Sequence, residues 1–121
     1  MSRPERHSHT VPGGRAYWLT QKLWAAAAWL PVIQVAIADI PEVDQDCWFG
    51  GRTPSLREVA EHTRRIMAAD LSYPIIFSAD GRLMDGGHRI ARAWIEGRAQ
   101  IDAVRFTVDP EPEEIQPVAG N

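Results

Sequence analysis

Between Tyr73 and Gly97 the chain reads YPIIFSADGRLMDGGHRIARAWIEG, and the glycines in that run restrict the backbone more than any other feature. Asp80-Gly81 favours a tight hairpin turn, so the apolar residues on either side read as two short strands. The second strand runs straight into Gly86 and Gly87. A helix is expected from about His88 to Glu96, with Gly97 as its C-terminal stop. Its spacing turns Ile90, Ala91, Trp94 and Ile95 inward and Arg89, Arg92 and Glu96 outward. Strand, glycine corner and helix in this order predict an α+β fold, a small mixed sheet with flanking helices.

The rest of the chain supplies the partners. TPSLREVAEHTRRIMAAD is the clearest helix, capped either by Thr53 with Pro54 at the first helical position or by a Ser55/Glu58 capping box. Leu56, Val59, Ala60, Thr63, Ile66 and Met67 form its expected inward stripe, and Ser55, Glu58, His62 and Arg65 run along one margin. TQKLWAAAAWLP reads as an earlier helix with Thr20 as its cap, and VIQVAIADI as a buried strand. EVDQDCWFGGR, from Glu42 to Arg52, is a loop of acids, aromatics and paired glycines. Residues 1–15 and 109–121 read as disordered tails around one domain at 16–108, the second tail acidic and broken by proline. In the first tail, His7 and His9 are a weak metal signal without a third ligand.

Composition narrows the function. A formal net charge of −3 argues against a stand-alone DNA binder, which needs a basic face. The lone Cys47 excludes a disulfide framework. No apolar run approaches a membrane span and no signal peptide opens the chain, so the expectation is a cytoplasmic protein.

The chemistry gathers at the glycine corner. Helix-start amides have no partner within the helix, and the aligned peptide dipoles make that end partly positive, so the junction attracts anions. Gly86 and Gly87 let backbone amides approach a phosphate, His88 and Arg89 add cationic donors, and Arg89 can engage two oxygens at once. The competing reading makes this a plain helix entrance, with Asp85 capping the amides and Arg89 paired to a surface carboxylate.

The run LMDGGHRIARAWIEGRAQIDAVRF, with Gly97, Ile101, Ala103 and Phe106 in its exit, resembles the ParB-like/sulfiredoxin superfamily, and the resemblance extends over roughly residues 32 to 108. It implies a ParB/sulfiredoxin-like fold in which Gly86, Gly87, His88 and Arg89 bind nucleotide phosphates, with His62 contributed by the preceding helix. Sulfiredoxins need a cysteine directly before the His-Arg pair; Gly87 stands there, which argues against sulfinic-acid reductase chemistry. Full-length partition proteins continue into a helix-turn-helix, and here only the acidic tail follows.

Three functions remain open on the sequence. One is a nucleotide-dependent enzyme, a phosphotransferase or nucleotide hydrolase, in which Asp44 and Asp46 supply a general base or a magnesium ligand. Another is a nucleotide-sensing or partner-binding module that performs no reaction. The weakest is a nuclease, because no compact carboxylate cluster or basic groove is visible. Ser55, His62, Arg65 and Asp85 are the expected pocket-lining residues. Trp48 and Phe49 either stack on a base or anchor their loop, and the exposed aromatics of the N-terminal half leave a homodimer open.

Overall fold

The structure of the chain is a computed structural model that describes residues 5–117. In chain order the elements are β1 (Arg6–Val11), β2 (Gly14–Leu19), α1 (Thr20–Ala27), β3 (Ile33–Ala36), two 3₁₀ turns (Ile37–Asp39 and Pro41–Asp44), α2 (Leu56–Met67), β4 (Ile75–Phe77), β5 (Leu83–Asp85), α3 (Gly87–Ile95), β6 (Gln100–Arg105) and β7 (Glu114–Pro117). The class is α+β, but two sheets form in place of the single small mixed sheet expected. Their strand orders are β1-β2-β7 and β3-β6-β4-β5. The pairs β1–β2, β2–β7, β3–β6 and β4–β5 are all antiparallel.

The extra sheet corrects the reading of both ends as disordered. Pro12 and Gly13 fill the two central positions of a turn, and Gly13 has φ 91°, the Pro-Gly order of a type II turn. This joins β1 to β2 with His7 opposite Trp18 and His9 opposite Ala16. From the acidic end, β7 adds to β2 with Ile115 opposite Ala16. The parts of the two expected tails at 1–4 and 118–121 lie outside the described residues.

The chain forms two compact units, and their boundaries do not fall at 16 and 108. One unit comprises 5–30, 76–85 and 105–117 of the described residues; the other comprises 31–75 and 86–104. In the first, Ala16, Trp18, Leu23, Ala27, Ile76, Phe77, Met84 and Phe106 are buried. The helix α1 starts without a side-chain cap, so Thr20 is its first residue rather than its N-cap. The amides there are satisfied from elsewhere: Leu19 N donates to Glu113 Oε2 at 2.7 Å and Thr20 N to the Glu5 carbonyl at 3.0 Å. The hairpin expected at Asp80-Gly81 forms, with Gly81 at φ 87° and Ser78 N donating to the Arg82 carbonyl.

In the second unit the buried residues are Ile37, Ile40, Ile75, Ile90, Ala93, Ile101, Ala103 and Val104. The expected buried strand over 32–40 is shorter and more open. Only β3 is extended, it lies at a sheet edge, and Val32 and Ile33 are exposed; burial resumes at Ile37 and Ile40. The helix α2 starts as its capping box dictates, Glu58 N donating to Ser55 Oγ while the Glu58 carboxylate accepts from Ser55 N. Its orientation is the larger surprise. None of its residues is buried, Leu56 is 87% exposed, and the half-buried positions are Glu58, His62 and Ile66. The polar margin of the helix, not its apolar stripe, faces the unit.

Candidate functional site

The corner at Gly86 is built so that only glycine fits. Its φ of 121° is a backbone region that L side chains rarely adopt, and a Cβ there would lie 2.4 Å from Ile75 Cγ2. The chain therefore turns tightly over a core isoleucine and enters α3 at Gly87. The N-cap residue, Gly86, has no side chain with which to cap this helix, and no acid occupies its first turn. Asp85 Oδ2 accepts a hydrogen bond from Trp24 Nε1 at 2.7 Å. Arg89 folds back over the corner, its Nη2 3.1 Å from where a Gly86 Cβ would stand. Asp70 is also within electrostatic reach of Arg89: its carboxyl is held below the usual range chiefly by Ser72 and in smaller part by the guanidinium.

Beside that corner sits a three-ring cluster. His62 Nδ1 and His88 Nε2 are 2.8 Å apart, with ring centroids 5.0 Å apart and planes 8° from parallel. The centroid separation exceeds the nitrogen distance by about two ring radii, so the two nearly coplanar rings meet head-on through these nitrogens. One donates and the other accepts. A metal ion in line between them would need the nitrogens about 4 Å apart, twice a normal zinc–nitrogen bond, so this contact is a hydrogen bond. The Trp48 indole lies across both imidazoles, 4.6 Å from His62 at 13° and 4.5 Å from His88 at 10°. Its Nε1 would be 3.3 Å from a Cβ on Gly87, so the indole edge also closes on the start of α3. Burial, and next the positive charge of Arg65, push the His62 pKa below its ordinary value, while Glu58 opposes them.

The loop that carries Trp48 is organised by one carboxylate. Asp46 Oδ1 accepts from the amides of Trp48 (3.0 Å) and Phe49 (2.8 Å), and Oδ2 from Gly51 (2.7 Å). Those three hydrogen bonds lower its pKa. Gly50 and Gly51, at φ 60° and 81°, supply the left-handed turn that brings the amides round. Asp46 thus fixes the loop, a different job from the base or metal ligand expected of it. Asp44 is exposed at the end of the second 3₁₀ turn.

Of the expected pocket-lining residues, His62 meets His88. Ser55 is the N-cap of α2 and its hydroxyl is engaged there. Arg65 is exposed and acts on His62 through its charge. Asp85 belongs to the other compact unit. The sequence reading left the role of Trp48 undecided, and the structure makes it the cover of the histidine pair. Its nearness to Gly-Gly in the sequence was the available signal, since paired glycines permit the sharp reversal that returns an indole onto a neighbouring helix.

No family model, curated protein or solved structure matches the chain. Among the described residues no helix is long and apolar enough to cross a membrane.

Proposed function

We propose that the chain binds a phosphate-bearing ligand, a nucleotide by preference, at the corner formed by Gly86, Gly87, His88 and Arg89. The observation that carries this reading is the start of α3: a helix entrance whose N-cap is a glycine at the backbone turn, no acid in its first turn, and a guanidinium folded over it. Such an end offers amide donors and a partial positive charge to an anion. The likeness of the DGGHR run to ParB/sulfiredoxin phosphate loops supports the same assignment. His62 joins through its hydrogen bond to His88, which holds that ring in place.

Binding is favoured over turnover by one further observation. Asp46, half of the carboxylate pair suggested for catalysis, has its oxygens engaged by loop amides. A non-catalytic sensing module is therefore the form of the proposal that uses every residue as it stands. Magnesium, where it takes part, arrives with the nucleotide's phosphates, and Asp44 is the loop carboxylate open to it.

The test is calorimetric titration and thermal shift of the chain with ATP, CTP, GTP and inorganic phosphate, each with and without magnesium. A ligand that binds only the native state raises the melting temperature by mass action. Arg89→Ala is expected to weaken binding by about 1.5–3 kcal/mol, the scale of a hydrogen bond to a charged group, while the fold survives. Absence of any shift at millimolar ligand, or a shift unchanged in Arg89→Ala, would overturn the assignment.

A further inference from the structure

Trp48 spends one of its two faces on the histidine pair. Its ring is 4.6 and 4.5 Å from the two imidazoles, which are themselves 5.0 Å apart. The indole is therefore centred over their hydrogen bond, about 3.8 Å from the plane of the pair, which is close aromatic contact. The other face points away. Phe49 does not cover it: its ring is 5.2 Å from His62 and 6.2 Å from the indole, whereas a ring beyond the indole would stand at least about 7 Å from His62. Phe49 thus flanks the stack. Gly50 and Gly51 follow without side chains, and nothing lies within 4 Å of where their Cβ atoms would be. Trp48 is half-buried with its inner face and its Nε1 edge closed, so the surface it keeps belongs to the outer face and the far edge.

We infer that the outer face of Trp48 is the seat of a nucleobase, which stacks on the indole while the phosphates of the same nucleotide occupy the corner at residues 86–89. The inference rests on the reading of that corner as a phosphate site and adds the group that separates a nucleotide from a bare phosphate. Position carries it. The indole Nε1 comes within 3.3 Å of a Cβ on Gly87, so the platform begins where the amides of α3 begin, and a ribose spans the step between them. Rigidity agrees with position. Asp46 holds the amides of Trp48 and Phe49 at 3.0 and 2.8 Å, and the imidazoles back the indole from below, so the platform is set before a ligand arrives and little ordering is lost on binding. Every base has a π-face, so such a platform accepts purines and pyrimidines alike.

Calorimetric titration of the whole chain with ATP, CTP and inorganic tripolyphosphate, each with magnesium, tests it, because tripolyphosphate brings the phosphates without a base. Far-UV circular dichroism verifies the fold of each variant. The wild type is expected to bind both nucleotides about tenfold or more tighter than tripolyphosphate. Trp48→Leu is expected to bring the three Kd values within about twofold of one another, and Trp48→Phe, which keeps an aromatic face, to retain most of the preference. An indole that served only to hold the histidines would weaken all three ligands alike when removed, so an unchanged preference in Trp48→Leu overturns the inference. A wild type that binds tripolyphosphate as tightly as the nucleotides also overturns it, needs no variant to fold, and leaves the phosphate corner standing. A chain that binds none of the three overturns the corner and the platform together.

Discussion

Gly86 and Gly87 are neighbours under different constraints, and substitution separates them. Gly86→Ala meets both a φ of 121° and the Ile75 side chain, so it is expected to destabilise the fold by about 2–4 kcal/mol, backbone strain and overpacking together. Gly87 has no such backbone demand, and its Cβ meets only the edge of Trp48 at 3.3 Å. Gly87→Ala should cost about 1 kcal/mol or less while moving the indole. Urea titration followed by tryptophan emission reads both quantities; equal losses for the two variants would contradict the geometry. The histidine pair gives the site a pH dependence whose sign can be worked out. His62 holds its proton less well than an ordinary histidine. A phosphate beside His88 favours the charged pair, so binding takes up a proton, and affinity should rise as pH falls from neutrality toward the lowered His62 value. Calorimetry in two buffers of different ionisation enthalpy counts that proton, and His62→Gln, which breaks the pair, should change the uptake.

Among the elements, α2 shows what a sequence can and cannot disclose. Its start is local chemistry: Ser55 and Glu58 satisfy each other's amides, and Ser55→Ala is expected to cost about 0.5–2 kcal/mol by thermal or chemical denaturation. Arg52 adds a two-pronged contact to Glu58, which with Ser55 holds that carboxyl down at about 2. Periodicity then correctly marks Leu56, Val59, Ala60, Thr63 and Met67 as one face, but period alone does not say what covers a face. Leu56→Ala should change stability by no more than about 0.5 kcal/mol. A core leucine would cost about 2–5 kcal/mol, so a loss of that size would place the stripe in the unit's interior. The glycine corner was legible for the same reason as the cap, because both are settled within a few residues. The strand β1 was not, since its buried inward position is His9 rather than an aliphatic residue. Nor was β7, whose partner β2 lies about a hundred residues away along the chain.

At the scale of the whole molecule, all four histidines fall into two pairs, each against a tryptophan: His62 and His88 on Trp48 in one unit, His7 and His9 on Trp18 in the other. In the second pair His7 Nε2 and His9 Nδ1 are 3.0 Å apart, and His9 Nε2 is buried without a hydrogen-bond partner among the described residues. A proton on His7 meets desolvation first, then the His9 imidazole, Arg15 and Arg82, offset in part by Asp85; one on His9 meets desolvation first, then Arg82 and Arg15, offset in part by Asp80 and Asp109. The His7 pKa is pushed down to about 4 from 6.5, and that of His9 is lowered too. The sign follows from linkage. Between those two values the unfolded chain binds protons that the native chain refuses, so stability is full above about 6.5 and declines as pH falls toward about 4. Each such histidine contributes a slope of at most about 1.4 kcal/mol per pH unit within that window. Urea midpoints taken at intervals from pH 7 to pH 4 should therefore fall steadily. In His7→Gln they should fall less steeply, because one of the reluctant imidazoles is gone. A midpoint that holds level from pH 7 to pH 5 in the wild type would mean that the β1–β2 pair accepts its proton as readily as a solvated histidine, and the burial of His9 against Trp18 would have to be given up.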